Sequence, residues 1–259
     1  MGFLGKVKIL EKKVLQDDVF QWIVERPETI ETLKPGQFFN FTASSTGYPL
    51  LKRPISISYF DEKQIEFTVK VLGTGTEVMS HLAVGDEVEI MGPLGNGFDQ
   101  GSFHRVLIVG GGIGIAPLKG LLESGNLSVE QTDCILGFRD APYLLDAFQK
   151  CVAHLEVVSE NAEGYRKGFV TGPLEEHLNS GVYDMIYSCG PEAMLKQVAK
   201  TCNERKVPVQ LLMEEKMACG VGACLGCTCK TKSGDFGFKH VRMCKEGPMF
   251  YGSEVIFDA

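Results

Sequence analysis

Residues 105–122 read "RVLIVGGGIGIAPLKGLL": an apolar run, a cluster of glycines, then a mostly apolar stretch that suits a helix. A continuous apolar run is what a strand covered on both faces looks like, because neither side needs to meet water. Strand, tight turn and helix in that order are what a dinucleotide-binding fold requires, with Gly110, Gly111, Gly112 and Gly114 at the turn. The usual G-x-G-x-x-G fingerprint fails, since counting from Gly112 puts Pro117 where the third glycine belongs. Proline early in a helix costs little, so the strand–turn–helix reading stands. A turn that binds nothing remains the alternative.

Working outward toward the C-terminus, the same texture continues. "DCILGF", "HLEVVSE" and "YDMIYSCG" are strand-like, and "PEAMLKQVAKTCNERK" between them and the end of the region is helical, so residues 101–210 are expected to form an α/β layer domain on a parallel sheet. "YSCGPEAML" sets Cys189, Gly190 and Pro191 at the end of one strand. Ligands of open α/β sheets bind beyond the carboxyl ends of strands, which makes Cys189 a candidate to border a cofactor; otherwise it is a buried thiol. "GFRD" offers both Asp140, suited to a ribose hydroxyl, and Arg139, suited to a 2′-phosphate, so NAD and NADP both stay open.

Toward the N-terminus the pattern changes. "VFQWIVER", "GQFFNFTA", "PISISYF", "QIEFTVKVL" and "DEVEIMG" are short, rich in Val, Ile and Phe, and separated by "KPG", "LGTG" and "GPLGNG". Alternation with frequent turns predicts a small antiparallel barrel over residues 1–100. Within it, "KRPISIS" (52–58) can set the planar fork of Arg53 on a pyrophosphate while the strand backbone and the Ser56 hydroxyl face a flat ring. In "KVLGTGTEVM", Gly73, Gly75 and Thr76 can present N–H groups and a hydroxyl to an anion at the start of a short helix. Each stretch alone also reads as ordinary strand or turn.

Residues 211–259 are rich in Gly and Cys and poor in core formers, so this segment needs a staple. Cys219, Cys224, Cys227 and Cys244 are spaced C-x4-C-x2-C-x16-C. That is the plant-type [2Fe-2S] spacing, and the small residues between the cysteines let the loop wrap closely around two irons. A zinc site would favour histidine or a second C-x2-C pair, neither of which the run contains; zinc and inert thiols remain the alternatives. Cys229 breaks the clean count: it could replace Cys227 as a ligand by a small shift, and the blander reading makes it a buried neighbour of the site. The tail "GPMFYGSEVIF", with Met249, Phe250 and Tyr251, is either an apolar docking surface or a strand pair inside its own small domain.

Composition narrows the function. A net charge of −7 without a basic run argues against nucleic acid, and no apolar run is long enough to span a membrane. The start lacks the pattern of a secretory signal. Nine cysteines, an odd number, fit a reducing compartment where they serve as ligands or buried thiols, and a cytoplasmic location is expected.

The succession R-P-I-S, G-T-G-T, G-G-G-I-G-I-A-P, C-G-P and the four-cysteine spacing resembles the ferredoxin reductase superfamily with an added iron–sulfur domain. More closely it is similar to the electron-transfer subunits of class 1B, NAD-linked dihydroorotate dehydrogenases, over essentially the whole chain. The resemblance implies FAD on the barrel, NAD at the α/β domain and a [2Fe-2S] cluster facing a separate FMN-containing catalytic subunit, in a heterotetramer with two copies of each. It implies that Arg53, Pro54, Ile55 and Ser56 hold the flavin and its pyrophosphate, that Thr68, Val69 and Lys70 line it from the neighbouring strand, and that Gly75 and Thr76 meet phosphate. Gly112, Ile113 and Gly114 would approach NAD, and Cys219, Cys224, Cys227 and Cys244 would ligate iron. Ile55 stands where many members of the superfamily place a Tyr against the flavin. Related subunits serve hydrogenases, sulfide dehydrogenases and transhydrogenases, which leaves the partner open; a zinc-stapled nucleotide-binding module without turnover is the reading from a different class.

Overall fold

The computed structural model describes residues 2–44, 47–234 and 237–257. Six strands close into an antiparallel barrel: β1 (Phe3–Gln16), β2 (Val19–Glu25), β3 (Phe38–Phe41), β4 (Arg53–Phe60), β5 (Gln64–Lys70) and β6 (Glu87–Leu94), in the order β1-β2-β5-β4-β3-β6. Alternation decides what goes inside. Phe20, Trp22 and Val24 of β2, Phe39 and Phe41 of β3, and Ile65, Phe67 and Val69 of β5 fill one buried cluster. The rings meet edge to face, with Phe39 and Phe41 at 5.6 and 4.8 Å from Phe67. Burial of each such side chain contributes about 1.5–3 kcal/mol. A short helix α1 (Thr74–Ser80) links β5 to β6.

The expected α/β layer follows. Its strands are β7 (Val106–Gly111), β8 (Thr132–Phe138), β9 (His154–Ser159), β10 (Arg166–Lys167), β11 (Met185–Cys189) and β12 (Val209–Leu212), and its helices are α2 (Ile115–Glu123), α3 (Leu145–Gln149), α4 (Thr171–Ser180) and α5 (Glu192–Arg205). The sheet runs β10-β9-β8-β7-β11-β12, all parallel, and the strand order reverses between β7 and β11. Their carboxyl ends therefore flank the crevice where such sheets take ligands.

Helix α2 joins the two layers. Its Gly120 lies on the main chain of Ile57 and Ser58, where a Cβ would be 3.2 Å from Ser58. Its Lys119, with 8% of the side chain exposed, pairs with Glu66 of β5 at 2.9 Å and with Glu123 at 2.6 Å. The outward face of β4 and β5 is polar but covered: Gln21 donates to Thr68 (3.3 Å), Thr68 to Ser58 (3.2 Å) and Ser58 to Glu66 (3.0 Å). A buried polar row of this kind is tolerable because each member has a partner.

The C-terminal segment adds β13 (Thr228–Ser233), β14 (Gly237–Arg242), β15 (Met249–Tyr251) and β16 (Val255–Ile256). Three of these form their own sheet, β14-β13-β16, but β15 leaves it and pairs antiparallel with β12 as the seventh strand of the large sheet. The tail is thus not an open apolar surface, and only its second half, β16, pairs inside the small sheet: Phe250 is buried, and Met249 and Tyr251 are half-buried. Asn96, just after the barrel, fastens the segment further. Its amide donates to the Glu246 carbonyl (2.8 Å), its side-chain oxygen accepts from Met249 N–H (3.1 Å), and its own N–H donates to the Gly247 carbonyl (2.7 Å).

Candidate flavin, nucleotide and iron–sulfur sites

The barrel is closed, yet the ladder between β4 and β5 ends early. Pairing runs through Phe60–Ile65, Tyr59–Glu66 and Ile57–Phe67 and goes no further, so residues 53–56 and 68–70 face each other across a split without pairing. On their other sides both stretches are held, 53–56 by β3 and 68–70 by β2. The split brings Arg53, Pro54, Ile55 and Ser56 opposite Thr68, Val69 and Lys70. What these residues offer differs from one to the next. Val69 points into the barrel core and Thr68 spends its hydroxyl on Ser58, so these two present main chain to the split. Lys70 pairs with Asp18 at 3.3 Å. Ile55 packs partly against the barrel core, and Ser56 is half-exposed.

Arg53 curls over α1. Its guanidinium occupies the space that a side chain at residue 75 would need, so the buried Gly75 makes a cradle for it, and Nη1 donates to the Leu51 carbonyl. Only one of the five N–H groups has that partner, which leaves a cation with spare donors beside the split. Thr76 behaves otherwise: its hydroxyl accepts from Leu72 N–H (2.9 Å) and donates to the Gly73 carbonyl (3.1 Å), closing the turn at the start of α1.

At the sheet's switch point, a 3-10 turn over Gly112–Gly114 connects β7 to α2. Gly114 is needed for packing: a Cβ there would come within 2.6 Å of the Cys189 carbonyl carbon and the Gly190 nitrogen. The turn after β7 and the turn after β11 therefore sit back to back, and Cys189 borders the crevice with Gly112 and Ile113 half-exposed beside it. Burial pushes the Cys189 thiol up, with the Glu214 carboxylate adding to the shift. Asp140 accepts from the Asn161 amide (2.8 Å) beyond the end of β8, and Arg139 is exposed next to it.

The cysteine loop crosses the outside of the barrel. Cys219 is half-buried, Cys224 exposed, and Cys227 and Cys244 buried. A main-chain bond from Met243 N–H to the Cys227 carbonyl (2.8 Å) draws the last two cysteines together. Amide groups turn in toward the first two: Cys224 N–H reaches Cys219 Sγ and Gly226 N–H reaches Cys224 Sγ, both at 3.4 Å. Main-chain N–H groups of Val221 and Cys224 bring the Cys219 thiol down to about 6, while burial, with the Cys227 thiol beside it, takes Cys244 up to about 12. Arg242 braces the loop by donating to the Gly222 carbonyl (2.9 Å) while paired with Glu246. Cys229 lies on β13 opposite Val241, half-buried, its thiol pushed up by burial to about 11. Among the described residues no three His, Cys, Asp or Glu side chains are grouped as a single ion would require. Two thiols met by inward main-chain amides, Cys219 and Cys224, and two drawn together by a main-chain bond, Cys227 and Cys244, are a donor set that fits an iron–sulfur group with its ligands shared between two irons.

Several features were not legible in the sequence. Asn40 and Phe38 on the outer face of β3, and Lys119 on α2, meet their neighbours only through tertiary packing. The exposed apolar tip formed by Val221 and Leu225 around Cys224 was hidden inside the cysteine motif.

Comparison with known proteins bears on the family and the fold. Residues 214–256 match the family described as the iron–sulfur cluster binding domain of dihydroorotate dehydrogenase B. The chain is 40% identical over 252 residues to the "Dihydroorotate dehydrogenase B (NAD(+)), electron transfer subunit" of Clostridium acetobutylicum, covering 97% of this chain and 96% of the relative. The protein of that name from Clostridium perfringens is 41% identical over 261 residues, covering 98% of each. Among solved structures, a chain of the NADH-dependent reduced ferredoxin–NADP oxidoreductase, studied for flavin-based electron bifurcation, superimposes with a TM-score of 0.85 at 27% identity, covering 99% of this chain and 91% of that one. A ferredoxin NADP+ reductase from Neisseria gonorrhoeae, with a TM-score of 0.63, 18% identity and coverage of 78% and 93%, shares the fold.

Proposed function

The chain belongs to the family of dihydroorotate dehydrogenase B (NAD(+)) electron transfer subunits, and we propose that it carries electrons between a dihydroorotate-oxidising, FMN-containing subunit and NAD by way of a [2Fe-2S] cluster and FAD. FAD, when bound, exchanges a hydride with nicotinamide and single electrons with a [2Fe-2S] cluster. The chain's own residues position the groups. Arg53, cradled by Gly75, offers its fork to the pyrophosphate, and the main chain along the β4–β5 split offers N–H and carbonyl groups to the flavin edge. The turns at Gly114 and Cys189 sit back to back, so that Gly112, Ile113 and Cys189 border the crevice that would take the nucleotide. Cys219, Cys224, Cys227 and Cys244 hold the cluster, and Cys229 stays outside the ligand set.

The observation that carries this reading is the shared wall of two sites. Strand β4 gives one edge to the split, its neighbour β3 is the next strand of the barrel, and the outer face of β3 is covered by the cysteine segment. Phe38 packs in the same buried cluster as Cys227 and Cys244, and Asn40 lies against Gly220. Two strands, β4 and β3, would therefore stand between a flavin at the split and a cluster held by the cysteines. The exposed Val221 and Leu225 around Cys224 support this loop as the face presented to the catalytic subunit, in an assembly of two copies of each chain. The barrel, the large sheet and the small sheet support a division into 1–100, 101–210 and 211–259, although β12 runs on to Leu212 and β15 joins the large sheet. NAD is preferred to NADP on the relatives' names. No helix among the described residues is long and apolar enough to cross a membrane, and a cytoplasmic location suits the nine thiols.

The test is spectroscopic and then functional. The chain purified without oxygen should be brown, with flavin and iron–sulfur absorption that NADH bleaches, and should reduce NAD with dihydroorotate once the catalytic subunit is added. A colourless protein with bound zinc would replace this reading by a nucleotide-binding module.

A further inference from the structure

Strand β3 reads "FFNF", and its alternation sends Phe39 and Phe41 into the barrel and leaves Phe38 and Asn40 on the outer face. Asn40 is 0% exposed, and neither its amide nitrogen nor its carbonyl oxygen has a hydrogen-bond partner among the described residues. A carboxamide brings two donors and an acceptor, and buried polar groups are nearly always paired, because an unpaired one forfeits its hydration without return. An apolar residue of similar size would avoid that loss, so the asparagine at this position calls for a partner that the polypeptide does not supply.

Its direction identifies the partner. Asn40 Nδ2 fills the space that a side chain at residue 220 would need, and Gly220, buried at φ +72°, is the residue next to Cys219. Outside Asn40 and the residues flanking Gly220, the nearest atom to that point is the Met91 methyl group, at 3.2 Å, and the cross-strand neighbours of Asn40 are Pro54 and Met91, whose side chains bring no strong donor or acceptor. The carboxamide is therefore aimed into the cysteine loop from the side of the strand that bears the flavin motif.

We propose that Asn40 donates an Nδ2–H hydrogen bond to a sulfur of the cluster held by Cys219, Cys224, Cys227 and Cys244, and thereby raises the reduction potential of that cluster. The inference rests on the iron–sulfur reading above. Reduction adds negative charge to the cluster, so a donor aimed at its sulfurs favours the reduced form, and hydrogen bonds to sulfur are among the groups that set such potentials. Placed on β3 next to Pro54, Asn40 would set the height of the step between FAD and cluster.

The experiment is an EPR-monitored redox titration of the full chain with FAD and cluster bound, for wild type, Asn40→Leu and Asn40→Asp. Asn40→Leu should keep the reduced-cluster signal and lower its midpoint, with the equilibrium constant for reduction falling about tenfold, or about 59 mV for one electron. Asn40→Asp keeps the size, loses the donors and adds charge, so its midpoint should fall further. FAD content and flavin potential should stay at wild-type values in both. An unchanged cluster midpoint in either variant would overturn the proposal and leave Asn40 a packing residue. A shift confined to the flavin would overturn it too, by giving the amide a different partner. If Asn40→Leu fails to hold a cluster, the near-isosteric Asn40→Asp supplies the potential. A wild-type chain that shows no [2Fe-2S] signal would sink the iron–sulfur reading itself, which separates that failure from this one.

Discussion

Arg53 and Gly75 are the residues on which flavin retention should turn. Arg53→Ala removes a planar cation with donors to spare among the described residues, and FAD should wash out during purification, measured as the flavin-to-protein ratio; Arg53→Lys keeps the charge without the fork and should lose less. Gly75→Val fills the cradle from the opposite side and should mimic Arg53→Ala while leaving the arginine intact. Full FAD content in both Arg53→Ala and Gly75→Val would return "KRPISIS" to plain barrel strand. Arg53 and the four cysteines stand out in the sequence because the chemistry proposed for them goes with residue type at fixed spacing. Thr68 and Thr76 were legible in place but not in role, since each hydroxyl is taken by a neighbour within the fold. Asn40 was not legible at all: between phenylalanines it is just another polar residue of a strand, and only its contact with Gly220 gives it meaning.

At the scale of elements, α2 is held to the barrel through a charge at the bottom of the interface. Lys119 and Glu66 are about nine-tenths buried, so removing Lys119 leaves the Glu66 carboxylate without a counter-charge. Lys119→Met should cost roughly 3–5 kcal/mol in chemical denaturation, and Glu66→Met in the same background should recover much of it, because the pair is worth far less than the penalty for breaking it. A loss below about 0.5 kcal/mol for the single variant would mean that water reaches the carboxylate. The barrel strands and the β7–α2 unit could be read from alternation and from the glycine turn, both of which are local patterns. The desertion of β15 to the large sheet could not. Three residues, Met249 to Tyr251, carry no sign of which edge they will join, and the choice is made by β12 and by Asn96, far away in the chain.

On the scale of the whole molecule, the described residues form a barrel, a parallel sheet and a cysteine segment and no (β/α)8 unit, which needs about 250 residues of its own. NADH oxidation by artificial dyes should therefore proceed in the isolated chain and survive Cys224→Ser, while dihydroorotate-dependent NAD reduction with the added catalytic subunit should be lost in that variant. Leu225→Asp, at an exposed apolar tip, should weaken co-purification of the catalytic subunit at least tenfold without slowing dye reduction. Undiminished association in Leu225→Asp would move the docking face elsewhere. The strand β15 bears on how fast such a complex could run. A carrier segment hung on a free linker would have to swing between donor and acceptor, and its turnover would slow in a thick medium. Here the segment is sewn into the sheet that carries the nucleotide crevice and is pinned at Asn96 to the end of the barrel, so it has no room to ferry anything. Electrons must cross a fixed gap, and turnover in the assembled complex should be indifferent to added glycerol or sucrose once diffusion of the small substrates is allowed for.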